Sequence, residues 1–186
     1  MTTMLTPFLR RAKETSGAAL AELALVIPLL LLILLGMLDL GKAFNEWIDQ
    51  THLANEGARL AAVGYPAVVT GCDGSTATNP NTCLAQYIQE RADIQELKSG
   101  RTGNAYASAQ DPAQVCISYP TNPSSNTHGL VGDPVQVTVR TTYHWLNYLV
   151  NQADFGDTPI EGKATMRLER TADADAAGTT TCYPTS

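Results

Sequence analysis

A 21-residue run, Ala18–Leu38, apolar except for Glu22, constrains this chain more than any other feature. As a helix it rises roughly 31 Å at ~1.5 Å per residue, enough to cross a hydrocarbon core of ~30 Å. A secretory signal has a shorter apolar core and ends in small residues. Leu38-Asp39-Leu40-Gly41-Lys42 offers no such site. Arg10, Arg11 and Lys13 precede the run, and only Lys42 stands close behind it. That asymmetry keeps the N-terminus cytoplasmic and sends everything after Asp39 to the far side. Pro28 and Gly36 are tolerated in a membrane helix, where a kink is favoured over a break. The expected topology is a single pass, N-terminus in and C-terminus out.

The helical pattern does not stop at the membrane. Leu40, Phe44, Trp47, Ile48, Leu53, Ala54, Ala58, Ala61 and Ala62 follow a helical period. Asp39, Glu46, Asp49, Gln50, Asn55, Glu56 and Arg59 fill much of the other side. Gly64 offers a C-terminal stop and Pro66 prevents continuation. One long helix is expected from about residue 17 to 63, with its second half presenting an apolar stripe to a small domain. Trp47 fits either the membrane surface or core packing.

The run Gly17-Ala-Ala-Leu-Ala-Glu22-Leu-Ala-Leu-Val-Ile-Pro-Leu-Leu-Leu, with Gly36-Met-Leu-Asp39-Leu-Gly41 and Asn55-Glu-Gly-Ala-Arg59-Leu-Ala-Ala, resembles the TadE-like family. These are minor pilin-like proteins of bacterial tight-adherence (Tad) pilus systems, related to type IVb pili. The resemblance covers about residues 16–63. Val135–Tyr143 and Ile160–Glu169 also resemble family members, less specifically. It implies a prepilin-type leader, residues 1–17, removed by a prepilin peptidase between Gly17 and Ala18. It also implies partnership with other pilin-like subunits and inner-membrane assembly proteins, an inner-membrane location, and incorporation into or priming of a pilus. Glu22 becomes the fifth mature residue, whose carboxylate helps subunit docking in related pilins. The family's major pilins carry Glu-Tyr there; Glu22-Leu23 in this chain points to a minor one. Ala18 stands where type IVa pilins and type II pseudopilins have phenylalanine.

Glu22 also has a physical account of its own. A carboxylate inside a lipid-embedded segment costs a few kcal/mol. In a bundle it can accept hydrogen bonds from the free α-amine of a neighbouring chain, offsetting two desolvation costs together. That amine exists at this depth only after the leader is cut. The alternative leaves Glu22 solvated at the cytoplasmic interface and Gly17 as a plain helix-start glycine.

Beyond leader and span, roughly 148 residues remain, enough for one modest domain. Net charge is −6, and no basic patch with interleaved aromatics suggests nucleic-acid binding. Cys72, Cys83, Cys116 and Cys182 all lie on the predicted outer side. An even count in an oxidising compartment reads as two disulfides. Of the three pairings, Cys72–Cys83 with Cys116–Cys182 is favoured: the first closes a polar loop, the second pins the tail. Spacings of 11, 33 and 66 residues contain no C-x-x-C unit, and no cysteine neighbours a histidine, so a metal site is not expected.

The expected fold class is α+β: a long N-terminal helix with a small antiparallel sheet and one short helix on its outer half, in a pilin-like arrangement. The divisions are 1–17 leader, 18–38 span, 39–66 outer helix and 67–186 outer domain. Thr82–Lys98 has a helical pattern ended by Ser99-Gly100. Gln114–Tyr119, Pro134–Tyr143 and Glu161–Arg170 read as three strands. Tyr143–Val150 is aromatic and apolar, either core or a contact patch for a partner or membrane surface. Loops at 70–82, 99–113 and 120–133 and the tail after Thr171 are polar. Catalysis is not expected. Ser124, His128 and Asp133 lack a nucleophile-elbow context. Asp173-Ala-Asp175-Ala-Ala-Gly178 lacks the fifth and twelfth ligands of a calcium loop. No cofactor is implied. Two functions fit: a pilus-assembly subunit, or a permanently membrane-anchored outer binding and adhesion module. Only the first requires loss of residues 1–17.

Overall fold

The structure, a computed structural model, describes residues 6–64, 80–100, 111–121, 129–145, 156–172 and 180–183. Cys72, Ser124, His128 and Asp173–Gly178 lie outside the described residues, as do positions 146–150 of the aromatic stretch. The chain divides into two compact units, Met1–Gly41 and Lys42–Ser186.

Helix α1, Thr6–Ala62, runs through both units with Pro28 in its interior. It begins well before the expected start near residue 17. In the first unit every residue from Gly17 to Leu34 is exposed. Residues 17–62 contain a candidate membrane span with no buried share. The C-terminal stop forms where Gly64 stands: φ there is +59°, and its N–H donates to the Ala61 carbonyl at 3.1 Å. A left-handed residue after the last turn satisfies carbonyls that the helix itself cannot.

The second unit is the expected α+β arrangement, with more elements than anticipated. The Thr82–Lys98 pattern divides into α2, Pro80–Glu90, and α3, Gln95–Ser99. The break follows from Asp49 of α1, whose Oδ2 accepts the backbone N–H groups of Asp93 and Ile94, both at 3.1 Å. Those two amides are thereby taken out of a continuing helix.

Among the described residues the sheet has four strands, not three: β1 Gln114–Ser118, β2 Pro134–His144, β3 Asp157–Arg167 and β4 Thr180–Tyr183. All pairings are antiparallel, in the order β3-β2-β1-β4. The polar tail thus contributes an edge strand. Cys116 of β1 lies directly opposite Cys182 of β4, and the two are joined in a disulfide. β3 begins at Asp157, four positions before the expected Glu161.

Strand β2 alternates as a half-buried strand should, with Val135, Val137, Val139, Thr141 and Tyr143 on the buried face. This face packs with Leu53, Ala54, Ala58, Ala61 and Ala62 of α1 and with Leu84, Ala85 and Ile88 of α2. Polar contacts fix α2 over β1 and its approaches: Gln89 Nε2 donates to the Ala113 carbonyl and the Tyr119 hydroxyl to Asn81 Oδ1, each at 3.0 Å. The end of β3 returns to α1, where Glu169 N–H donates to the Ala62 carbonyl at 2.8 Å.

One expectation is reversed. The apolar stripe assigned to domain packing holds only from Leu53 onward. Leu40, Phe44, Trp47 and Ile48 are exposed, while Asp39, Ala43, Glu46, Asp49 and Gln50 are buried. At Asp49 and Gln50 the inward side of α1 meets backbone amides and carbonyls at close range, so hydrogen-bonding side chains belong there.

Candidate functional site, the exposed helix and its seat on the sheet

Gly17, Ala18 and Glu22 are all exposed on α1, and a β-carbon at Gly17 meets nothing within 4 Å. The Gly17–Ala18 peptide bond lies inside a helical stretch. Cutting it calls for local unwinding, and glycine lowers that cost by about 1 kcal/mol relative to alanine. The Glu22 carboxylate has no enclosing wall within its own unit.

Of the cysteines, Cys116 and Cys182 are bonded to each other. Cys83 is buried and disulfide-bonded, while its expected partner Cys72 lies outside the described residues. Among the described residues, no group of three or more His, Cys, Asp or Glu side chains is placed to hold a metal. His52 is exposed on α1. His144 contacts Asp157 across the β2–β3 pair. Asp133 belongs to a turn, its Oδ2 accepting the Leu130 N–H at 3.1 Å.

Sequence reasoning missed the group that seats α1 on the sheet. Gln50 is fully buried, and with its amide turned toward the sheet Nε2 donates to the Ile160 carbonyl at 2.9 Å and the Val139 carbonyl at 3.3 Å. Gly162 lies beneath it on β3, where an added β-carbon would stand 2.4 Å from the Gln50 carbonyl. A glycine inside an otherwise β-rich segment was the available signal, since such a residue often marks close backbone approach.

A groove of about 690 Å³ opens beside the last turns of α1, lined by Glu56, Arg59, Val63, Met166, Arg167 and Glu169. Glu56 also pairs with Arg91 of the α2–α3 connection at 3.1 Å. Arg91 in turn lies 5.2 Å over the Tyr87 ring.

No curated protein and no solved structure matches this chain. Residues 17–59 match the family model described as TadE-like protein. That stretch begins at the expected cleavage site and takes in the apolar span, the exposed Phe44–Trp47–Ile48 turn and the Asp49–Gln50 seat. Over these residues the chain is similar to TadE-like proteins.

Proposed function

We propose that the protein is a minor pilin-like subunit of a Tad-type pilus system, cleaved after Gly17 and anchored in the inner membrane until it joins or primes a filament. The observation that carries this reading is the TadE-like match beginning at Gly17, over a helix exposed on all sides from Gly17 to Leu34. A helix with that surface needs lipid or other helices around it. The basic flank at Arg10, Arg11 and Lys13 favours an inward N-terminus. The Cys116–Cys182 bond favours an oxidising compartment for the domain. Its partners are then a prepilin peptidase, other pilin-like subunits and inner-membrane assembly proteins.

The test is the intact mass of protein extracted from membranes of cells with and without a prepilin peptidase. Peptidase-dependent loss of Met1–Gly17 is expected. Full-length protein in both strains would rule out the assembly route and leave an anchored binding module. The charged groove between Glu56 and Glu169 is the feature that favours this second reading.

A further inference from the structure

We propose that the stretch of α1 carrying Phe44, Trp47 and Ile48 lies in the outer headgroup layer of the bilayer, together with the Trp145 end of the β2–β3 hairpin, and so seats the sheet domain on lipid. The proposal rests on the reading of α1 as a membrane anchor.

Its first support is the reversed patterning of α1 before Leu53. Phe44, Trp47 and Ile48 are 57, 48 and 60% exposed, whereas Glu46, Asp49 and Gln50 on the opposite side are at most 7% exposed. A helix on a domain in water turns its apolar side inward. Ionisable residues turned toward protein, with apolar residues turned outward, are what an apolar exterior selects.

Length agrees with a tilted helix. Residues 18–48 rise roughly 46 Å at ~1.5 Å per residue, and a tilt of about 30°, within the usual range, keeps Phe44 and Trp47 at the headgroup level beyond a ~30 Å core.

The sheet supplies the third support. Gly162 of β3 lies against Gln50 and Thr51 of α1, and Glu169 beyond the strand reaches Ala62. β3 and α1 therefore advance in the same direction. Asp157, at the start of β3, lies about 17 Å back along the strand from Gly162 at ~3.3 Å per residue, toward the Lys42 end. His144 is paired with Asp157, and Trp145 follows it. Trp145 is half-buried, packs edge-on against Tyr143 at 5.1 Å, and its indole Nε1–H donates to Thr158 Oγ1 at 2.7 Å. Both tryptophans of the chain thus fall at the end from which α1 leads to the span. Tryptophan is enriched at membrane–water interfaces because its ring is apolar and its N–H is polar. A second copy's helix could also cover Phe44, Trp47 and Ile48, but it gives no account of Trp145 on a different element toward the same end of the domain.

The test uses full-length protein in liposomes at a low protein-to-lipid ratio. Trp145→Phe isolates Trp47, and Trp47→Phe isolates Trp145. Leu30→Trp with both tryptophans replaced by phenylalanine reports on the span. Fluorescence is read in lipids brominated near the headgroup or near the chain end. Trp47 and Trp145 should each lose more fluorescence to the shallow quencher, and the Leu30→Trp variant more to the deep one. If the Leu30→Trp variant is quenched while either native tryptophan is untouched by both lipids, the proposal is overturned and the anchor stands. If the Leu30→Trp variant is itself unquenched, the anchor reading fails and the proposal falls with it.

Discussion

At Gly162 a β-carbon would come within 2.4 Å of the Gln50 carbonyl carbon and oxygen and 2.5 Å of the Thr51 nitrogen, all backbone atoms of α1. Backbone cannot step aside as a side-chain end can. At Gly57 the nearest atom to an added β-carbon is Ile88 Cδ1 at 2.6 Å, the tip of a flexible side chain, with Val137 Cγ1 at 3.1 Å. Alanine there also gains about 1 kcal/mol of helix propensity, which offsets part of the crowding. Gly162→Ala should therefore destabilise the domain by about 1–3 kcal/mol or more, the range for overpacking, and Gly57→Ala by clearly less. Denaturant titration of the full chain in detergent measures both; equal losses would show that α1 does not approach β3 this closely. Little of this was legible in the sequence. Asp49 and Gln50 look like the wet side of an amphipathic helix, and only the amides of the α2–α3 connection and the strand carbonyls opposite them show why they are buried. Periodicity reports that two sides of a helix differ, not which side faces protein.

Among the elements, β4 shows how a covalent link can stand in for hydrogen-bonded length. Four residues at a sheet edge make few ladder bonds, and the sequence around Thr180–Tyr183 has no alternating apolar pattern to announce a strand. The disulfide to Cys116 closes a separation of 66 residues. Chain-entropy arguments give a link of this span about 4 kcal/mol as an upper figure, with 2–4 typical. Replacing both Cys116 and Cys182 by serine should lower stability by about 2–4 kcal/mol. It should also raise amide exchange in Thr180–Tyr183 before the other strands. Unchanged exchange there would mean that β4 holds by pairing alone. The strand with clear alternation, β2, and the long helix were readable because burial on one face leaves a period in the chain, and β1 as a short apolar run, Val115–Ile117, buried at three successive positions. β4 was readable only indirectly, through a cysteine expected to pair with one already on a strand. The division of α2 from α3 was not readable, because its cause is Asp49, some 44 positions earlier in the chain.

For the whole molecule, the exposed N-terminal helix is the part whose environment decides the function. Removal of residues 1–17 takes away three basic side chains and one acidic one, leaving a net charge of −8 from an initial −6. It also frees an α-amine on Ala18, four positions before Glu22. If that amine and the Glu22 carboxylate of a neighbour meet in an apolar assembly, each relieves the other's desolvation. Glu22→Ala should then leave membrane insertion and leader removal intact while sharply reducing recovery of the protein with sheared pili. Glu22→Asp should restore part of that recovery. Recovery of Glu22→Ala at the level of the parent protein would remove the carboxylate from the assembly step.

The reversed stretch of α1 also governs where the chain can be cut for work in water. A fragment beginning before Phe44 carries three large apolar side chains into solvent and invites self-association. One beginning at Asp49 sheds them, but puts Asp49 and Gln50 in a fraying first turn. There the carboxylate that holds Asp93 and Ile94, and the amide that grips β2 and β3, lose the rigid helix behind them. The same turns that make the domain oily are the ones that hold it in register, so detergent or lipid is the natural solvent for its intact fold.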